Sequence, residues 1–279
     1  MPELPEVETI RNQLAPVVQG RPIELAEVRD ARWCAPQHPG PFTARLAGRT
    51  IEALDRRGKY FVMRLDDGAA LIMHLRMTGN LLFVGSDSPL PSAHLRGLIE
   101  LDGGDRLAFV DPRRFGTAEI IESPDALGKY FSGRLGPEPF GDEFTPEQLF
   151  QATRRRKTSI KAVLLDQRVV AGIGNIYADE ALFRAEIAPH RRADRLTRAQ
   201  AASLRDTIRQ SLTAGIDAKG ASIDDFRDAY GVQGSFQDQF LVHRRAGLPC
   251  PNCGTSIVKT RVAGRGTYHC KNCQTGRAG

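Results

Sequence analysis

The sequence of 279 residues lacks any apolar run that approaches the roughly 18 residues of a membrane-spanning helix. It also lacks a secretory signal, in which an apolar stretch would follow positive residues near the start. These absences argue against membrane and secreted proteins, so we predict a cytoplasmic protein with no membrane partner. A chain of this length allows two domains, one of them large enough for a substantial core.

Acidic residues are missing from the segment 240–279, although the segment is rich in lysine and arginine. The basic residues are Arg244, Arg245, Lys259, Arg261, Arg265, Lys271 and Arg277. The chain has a formal net charge of +6, so its positive excess lies in this tail. Basic segments of this kind contact nucleic acid phosphates. A merely solubilising basic surface is the alternative.

Cysteine is scarce, and four of the five cysteines lie near the end of the chain as two C-x2-C pairs. They are Cys250, Cys253, Cys270 and Cys273. Their spacing lets four thiolates converge on one tetrahedral Zn²⁺, and the alternating residues between the pairs predict a β-hairpin with its turn at 263–266. We predict one structural zinc ion. Two disulfides would need an oxidising compartment. Cys34 is predicted to be a small buried hydrophobe.

The first part of the chain, to about residue 130, alternates apolar and polar residues after one short helix, which predicts β-strands. The predicted strands are Lys59–Leu65, Ala69–Leu75, Leu95–Leu101, Arg106–Asp111 and Thr117–Ile121. Antiparallel strands at this spacing indicate a sandwich or a flattened barrel. From Phe144 the pattern becomes helical, and Thr145 with Gln148 forms a capping box. Helices are predicted from there to about Lys157, over Ser159–Leu165 and Ile176–Arg184, and from Leu196 to near Gly215.

The start of the chain offers a nucleophile. Removal of Met1 would leave Pro2 with a free secondary amine, which titrates near neutral pH. A secondary amine that attacks a sugar C1′ gives a permanently cationic iminium, which is a strong electron sink. Glu3 and Glu6 lie close in sequence, where a carboxyl group could transfer protons. The alternative is that these residues only form a well-capped helix start.

A glycine-bearing turn, Gly172 to Asn175, precedes a predicted helix. Its backbone N–H groups, with Asn175 as the N-cap residue, would form an anion site at the helix mouth. The glycines could equally serve helix packing. Together with the basic run 154–157 and the basic hairpin, however, the turn favours phosphodiester binding along a DNA duplex.

Five motifs stand along the chain, four of them before the four-cysteine site and the fifth between its two cysteine pairs. The motifs are Met1–Thr9, Arg57–Tyr60, Asp111–Gly116, Gly172–Glu180 and Gly264–Thr267. In this order they resemble the bacterial formamidopyrimidine-DNA glycosylase family from end to end. The related endonuclease VIII branch shares the amine, the helical turn and the zinc, but it lacks the segment Asp111–Gly116 and has a different hairpin tip.

The resemblance implies a bifunctional DNA repair enzyme that excises oxidised purines and cleaves the strand by β,δ-elimination. Pro2 would form a Schiff base with C1′, Glu3 would donate the proton that opens the deoxyribose ring, and Glu6 would support that centre. Lys59 would contact phosphates beside the lesion and assist β-elimination. Arg265 would grip the phosphate and assist the δ step.

The resemblance also implies the DNA contacts. The residues concerned are His94, Arg113, Arg156, Asn175, Met77 and Phe115. Since an enzyme cannot reach a damaged base inside the stack, Met77, Arg113 and Phe115 would fill the gap left by the everted nucleotide. Without the resemblance, Met77 would be interpreted as a core residue. The implied partner is double-stranded DNA with oxidised purines or abasic sites, bound by a monomer.

The implied fold is α+β with two domains. An antiparallel β-sandwich with an N-terminal helix would span 1–132, and a linker 133–143. A helix–two-turn–helix domain would span 144–236, with the zinc hairpin at 237–279.

Three departures from the family concern lesion preference rather than the reaction. Lys219-Gly220 replaces two glycines, the segment 230–235 differs from the usual one, and Arg96 replaces a second histidine. Two rival interpretations remain. One is a pyrimidine-directed glycosylase of the sister branch, and the other is a non-catalytic zinc-dependent DNA-binding protein.

Overall fold

The computed structural model describes residues 1–223 and 225–275, so Arg277 and the end of the predicted zinc module lie outside the described residues. The chain divides into two compact units. The first contains Met1–Ser132 and Ala218–Ser235, and the second contains Gly133–Asp217 and Phe236–Gly279. Among the residues that the structure describes, no helix is both long and apolar enough to cross a membrane.

The first unit combines three helices with eight strands in its described part. The helices are α1 (Leu4–Val18), α2 (Pro39–Leu46) and α3 (Pro124–Phe131). The strands are β1 (Ile23–Val28), β2 (Ile51–Arg57), β3 (Tyr60–Leu65), β4 (Ala70–His74), β5 (Asn80–Val84), β6 (Leu95–Leu101), β7 (Arg106–Val110) and β8 (Thr117–Ile121). All strand pairs are antiparallel.

The strands form two four-stranded sheets that enclose one core. Their orders are β1-β6-β7-β5 and β2-β3-β4-β8. Alternate residues of both sheets, such as Phe61 and Met63 of β3 and Phe109 of β7, meet in a single buried cluster. Because side chains alternate across a strand, this shared cluster makes the pair of sheets a sandwich. The predicted α+β fold with an antiparallel sandwich is confirmed.

Helix α1 closes the sandwich core. Leu4, Val7, Ile10 and Leu14 are fully buried, and their helical spacing puts them on one face of the helix. The helix begins at Leu4, and Pro5 takes an early helical position where its missing N–H costs nothing.

The segment 218–235 groups with the first unit, whereas the predicted boundaries placed it in the helical domain. The physical reason is burial. Phe226 and Ala229 belong to the sandwich core, and the N–H of Phe83 donates to the carbonyl of Ala229 over 2.8 Å. Gln13 of α1 donates to a carboxylate oxygen of Asp228 over 2.8 Å. The segment is therefore tied to this unit by apolar contacts and hydrogen bonds.

The second unit contains four helices and one hairpin in its described part. The helices are α4 (Pro146–Thr153), α5 (Ile160–Leu165), α6 (Asn175–Arg184) and α7 (Arg198–Asp217). The hairpin pairs β9 (Val258–Val262) with β10 (Arg265–His269). Side-chain oxygens of Thr145 and Ser159 accept the N–H groups of Gln148 and Ala162, which caps α4 and α5.

Candidate functional site

Pro2 and Glu3 directly precede α1 in the first unit, and Glu6 lies in its first turn. Pro2 is buried, and Glu3 and Glu6 are only 2% and 1% exposed. Glu3 is the N-cap residue, and its N–H donates to Oε2 of Glu6 over 2.8 Å. Oε1 of Glu6 accepts the N–H of Ala221 over 2.8 Å. Glu6 therefore fixes the backbone beside Pro2 and also holds the segment 218–235.

Lys59 lies in the turn between β2 and β3, so the predicted strand starts one residue too early at this end. Arg57 pairs with Tyr60, which leaves Gly58 and Lys59 as a two-residue hairpin loop. Gly58 has φ of 59°, a left-handed conformation that glycine adopts without strain. Lys59 is only 5% exposed, so its side chain is buried against the protein.

His74, which sequence reasoning missed, lies across the sheet from this turn. It pairs with Tyr60, and the two ring centroids are 4.5 Å apart. Burial lowers the pKa of His74 to about 3, and the charges of Arg76 and Lys59 act in the same direction. The ring is therefore neutral at pH 7, and its Nδ1 accepts the N–H of Arg76 over 2.8 Å. The sequence feature that could have identified this residue is a histidine at the end of an otherwise apolar strand.

Four predicted DNA contacts lie at exposed positions of the first unit: Met77, His94, Arg113 and Phe115. Met77 is 37% exposed and Phe115 is 51% exposed, so the core interpretation of Met77 is wrong. The Arg113 guanidinium carbon lies 4.9 Å from the centroid of the Phe115 ring, within cation–π range. Exposed apolar side chains next to a cation suit contact with bases.

Asn175 opens helix α6 in the second unit, but the N-cap residue is Gly174 and not Asn175 as predicted. A glycine cap leaves the Asn175 side chain available for another contact. Its Nδ2 donates to the carbonyl oxygen of Gly266 over 3.0 Å. The side chain thereby ties the start of α6 to the hairpin strand β10.

A buried ion pair, also missed from sequence, reinforces that connection. Lys161 is fully buried, and its Nζ donates to Asp179 over 2.6 Å, to Thr267 over 2.8 Å and to the Gly266 carbonyl over 3.2 Å. The second oxygen of Asp179 lies 2.9 Å from Nδ1 of His243. Removing one partner of such a pair costs about 3–5 kcal/mol. The network therefore fixes β10 on α5 and α6.

Arg265 is exposed at the first position of β10, where it pairs with Val262. The turn is therefore the two residues Ala263 and Gly264, shorter than the predicted four. The neighbouring Gly266 is held by hydrogen bonds from Lys161 and Asn175 to its carbonyl oxygen. The backbone next to Arg265 is therefore fixed to the helices of this unit.

Arg156 lies after α4, which ends at Thr153 rather than near Lys157 as predicted. Its Nη1 donates to Oδ2 of Asp166 over 3.0 Å. Hydrogen bonds from Arg168 first, and from Arg156, lower the pKa of Asp166 to about 2. Asp166 is therefore ionised at neutral pH and orients a partly exposed Arg156.

The four hairpin cysteines converge as predicted. Their sulfur atoms all lie within 4.8 Å of one another, with Sγ–Sγ distances of 3.8 Å for Cys250 and Cys273 and 3.5 Å for Cys253 and Cys270. Tetrahedral zinc with Zn–S bonds of about 2.3 Å requires sulfurs about 3.8 Å apart. These cysteines are free thiols rather than disulfides. The cluster fits one structural Zn²⁺, and the zinc prediction is confirmed.

Three family models match the chain in succession. The Formamidopyrimidine-DNA glycosylase N-terminal domain matches residues 1–118, and the Formamidopyrimidine-DNA glycosylase H2TH domain matches residues 135–227. The Zinc finger found in FPG and IleRS matches residues 247–276. The matches thus extend over most of the sequence.

Curated relatives match over the whole length. Formamidopyrimidine-DNA glycosylase of Heliobacterium modesticaldum is 45% identical over 277 residues, which covers 98% of this chain and 100% of the relative. The protein of the same name from Symbiobacterium thermophilum is 44% identical over 275 residues and covers 98% and 89%.

Solved structures of Lactococcus lactis Fpg resemble the fold closely. Its complex with an abasic site containing DNA has a TM-score of 0.91 at 35% identity, covering 98% of this chain and 99% of that chain. Its complex with an oxidized pyrimidine containing DNA has a TM-score of 0.90 at 35% identity, covering 98% and 100%. The similarity therefore includes both units and the cysteine hairpin.

Proposed function

The chain belongs to the formamidopyrimidine-DNA glycosylase family, and from this membership we propose that it excises oxidised purines from double-stranded DNA and then cleaves the strand. The proposed substrates are 8-oxoguanine, formamidopyrimidines and abasic sites. The observation that carries the proposal is the first turn of α1, where Glu6 holds the backbone of Glu3 beside a buried Pro2. The carboxyl-bearing residues Glu3 and Glu6 thus share one buried turn with Pro2, which supports the proposed roles.

In the proposed reaction, Met1 is removed and the Pro2 nitrogen attacks C1′ of the damaged nucleotide. The new N–C1′ bond replaces the glycosidic bond, the base leaves with its electron pair, and Glu3 supplies the proton that opens the sugar ring. The resulting iminium withdraws electrons from the sugar. Loss of a C2′ proton then expels the 3′ phosphate, and loss of a C4′ proton expels the 5′ phosphate.

The other site residues have supporting roles in this proposal. Lys59 contacts phosphates and assists β-elimination, Arg265 assists the δ step, and Asn175 and Arg156 bind the DNA backbone. Zinc holds the hairpin and supplies no chemistry, because four cysteine ligands leave no open coordination position.

Borohydride trapping tests the proposal directly. The protein is incubated with borohydride and a duplex that contains 8-oxoguanine opposite cytosine. We expect a covalent protein–DNA adduct, and mass spectrometry should map the cross-link to Pro2. A duplex with a tetrahydrofuran residue, which has no aldehyde carbon, serves as the control and should give none. Binding of lesion DNA without any adduct would favour the non-catalytic DNA-binding protein.

The pyrimidine-directed alternative needs a parallel substrate, since a resembling structure contains oxidized pyrimidine DNA. We expect single-turnover excision of 8-oxoguanine opposite cytosine to be faster than excision of thymine glycol. Faster excision of thymine glycol would instead indicate a pyrimidine-directed glycosylase of the sister branch. The proposed chemistry of Pro2 would be the same in that case.

Replacement of Arg265 with alanine is expected to uncouple the two eliminations. A charge-assisted hydrogen bond is worth about 1.5–3 kcal/mol, so the δ step should slow about tenfold or more while β-elimination continues. Gel analysis of the strand ends would show accumulation of the 3′ unsaturated aldehyde. Arg261→Ala, an exposed arginine of the same hairpin, is the control. An unchanged product ratio for Arg265→Ala would remove this role.

A further inference from the structure

Asp111 is a completely buried carboxylate that follows β7 and has no role in the proposed reaction. One oxygen, Oδ2, accepts the N–H groups of Phe115 and Gly116, each over 2.7 Å. The other, Oδ1, accepts the Thr78 hydroxyl and the N–H of Arg113, the latter over 3.2 Å. Three backbone donors and one hydroxyl thus converge on a single side chain.

The backbone of Asp111 makes two further links. Its N–H donates to the carbonyl oxygen of His94 over 2.9 Å, and its own carbonyl accepts Nε of Arg96 over 2.8 Å. Nη2 of Arg96 lies 3.4 Å from Nδ1 of His94. Asp111 therefore also fixes the turn in which His94 adopts a left-handed φ of 63°.

Thr78 links Asp111 to a third part of the chain, the residues around Met77. Its hydroxyl oxygen accepts the N–H of Arg113 over 3.3 Å while its proton is donated to Asp111. Thr78 is itself buried and directly follows the exposed Met77. All four predicted DNA contacts of the first unit are thus attached to one carboxylate residue: Met77, His94, Arg113 and Phe115.

We propose that Asp111 is the positioning residue that presets these four side chains for contact with the duplex. The inference rests on the proposed function, because it assumes that the four residues enter or border the gap left by an everted base. Exposed side chains on separate turns would otherwise be mobile, and ordering them on binding would cost affinity. A common buried anchor removes that cost before DNA arrives.

Close packing leaves the anchor little freedom to move. A Cβ added at Gly116 would lie 2.5 Å from the Phe109 ring and 3.2 Å from Oδ2 of Asp111. The turn can therefore approach the carboxylate only because residue 116 is glycine, and the phenyl ring of Phe109 blocks retreat toward the core.

The carboxylate cannot be replaced by its amide. Asparagine has one accepting oxygen and one NH2 group in the same shape. In one orientation the NH2 group faces the N–H groups of Phe115 and Gly116, and in the other it faces the N–H of Arg113. In either orientation the NH2 group of asparagine faces a backbone N–H group, and both are hydrogen-bond donors. A buried donor without an acceptor costs about 1–3 kcal/mol. The turn must shift to relieve this opposition.

The test compares two substrates with Asp111→Asn. Excision of 8-oxoguanine from duplex requires the gap to be filled, whereas strand cleavage at an abasic site in single-stranded DNA does not. We expect single-turnover duplex excision to fall about 100-fold, as displacements near 1 Å can produce, while single-stranded cleavage changes less than about threefold. Retained single-stranded cleavage also demonstrates that the variant is folded.

A spectroscopic signal adds a readout that general destabilisation would not change. A 2-aminopurine placed beside the lesion brightens when its neighbour unstacks. The Asp111→Asn variant should bind this duplex but show a reduced or slower fluorescence rise. Asp67→Asn is the control, because Asp67 also accepts a turn N–H in this unit, from Ala69 over 3.1 Å, but carries no predicted DNA contact.

Thr78 provides the independent variant. Thr78→Val removes the hydroxyl at constant shape and should reproduce the selective loss, while Thr78→Ser keeps the hydroxyl and should restore excision. Equal losses on both substrates, or no loss on duplex, would overturn the positioning role. If wild-type protein cleaves neither substrate, the proposed function fails instead, so the two failures are distinguishable.

Discussion

The variant Pro2→Gly is expected to lose excision of 8-oxoguanine by about 100-fold or more, the scale of losing a positioned catalytic group, while it still binds duplex DNA. Glycine at this position keeps a free α-amine after removal of Met1, but the amine is primary. It gives an imine that must be protonated, whereas proline gives an iminium with a fixed charge. The residues proposed to contact phosphates lie elsewhere in the chain and are unchanged in this variant.

Three measurements check this expectation. Single-turnover rates on 8-oxoguanine duplex give the loss, and fluorescence anisotropy with tetrahydrofuran duplex should give a dissociation constant within about threefold of wild type. Intact mass must show that Met1 is absent from both proteins. Pro5→Gly, the same substitution three residues later at the start of α1, is the control. Full excision by Pro2→Gly would contradict the role of the ring nitrogen.

Local patterns explain why much of the sandwich could be predicted. Strands β3, β4, β6, β7 and β8 are apolar on one face and end at turn residues, so their positions were predicted within one residue. Strand β2, Ile51–Arg57, has charged residues at four of its seven positions and shows no clear alternation. It is a strand because α1 and β3 cover it, which is tertiary context.

The candidate site also contains residues that short motifs identify and residues that only the fold brings together. Pro2, Glu3 and Lys59 stand in contiguous motifs, so the resemblance could identify them from sequence. Lys161 and Asp179 belong to different helices, and Thr267, to which Lys161 also donates, is remote in sequence. Nothing in a short window reveals such a pair, apart from a lysine within the otherwise apolar helix α5.

The placement of segment 218–235 also could not be predicted from local sequence. It follows the long helix α7, and sequence proximity suggested that it shares the helical domain. Its packing depends instead on contacts distant in sequence, such as those of Ala221 with Glu6 and of Ala229 with Gln13, over 2.8 and 3.0 Å. Lys219 has φ of 58° where the family usually has glycine, so the departure noted in the sequence coincides with a strained backbone position.

Loss of one zinc ligand, in Cys250→Ser, is expected to weaken binding to every duplex, with or without a lesion. Structural zinc contributes about 10–16 kcal/mol to the folding of small zinc modules, so the hairpin cannot stay ordered with an incomplete site. Cys250 and Cys270 are also part of the apolar cluster that includes Phe183 and Ile257. Loss of the metal therefore removes packing as well as coordination.

Disorder of the hairpin would release Arg265 and its neighbours Lys259 and Arg261 from their fixed positions. Each lost phosphate contact reduces the salt slope of binding by about 0.9. Anisotropy titrations across a salt series, with lesion and undamaged duplexes in parallel, should show both weaker binding and a shallower slope. Zinc content measured on the same samples should fall below one ion per chain.

Two controls separate this effect from general unfolding. Cys34→Ser changes a buried cysteine of the first unit that is not a metal ligand, and it should retain zinc and DNA binding. Trp33, the single tryptophan, packs against Phe42 and Phe109 in the sandwich core, so its emission reports that unit alone. In Cys250→Ser, unchanged Trp33 emission with weakened binding is the expected result. Full binding with excision alone abolished would show that the metal takes part in the chemistry, against a structural role.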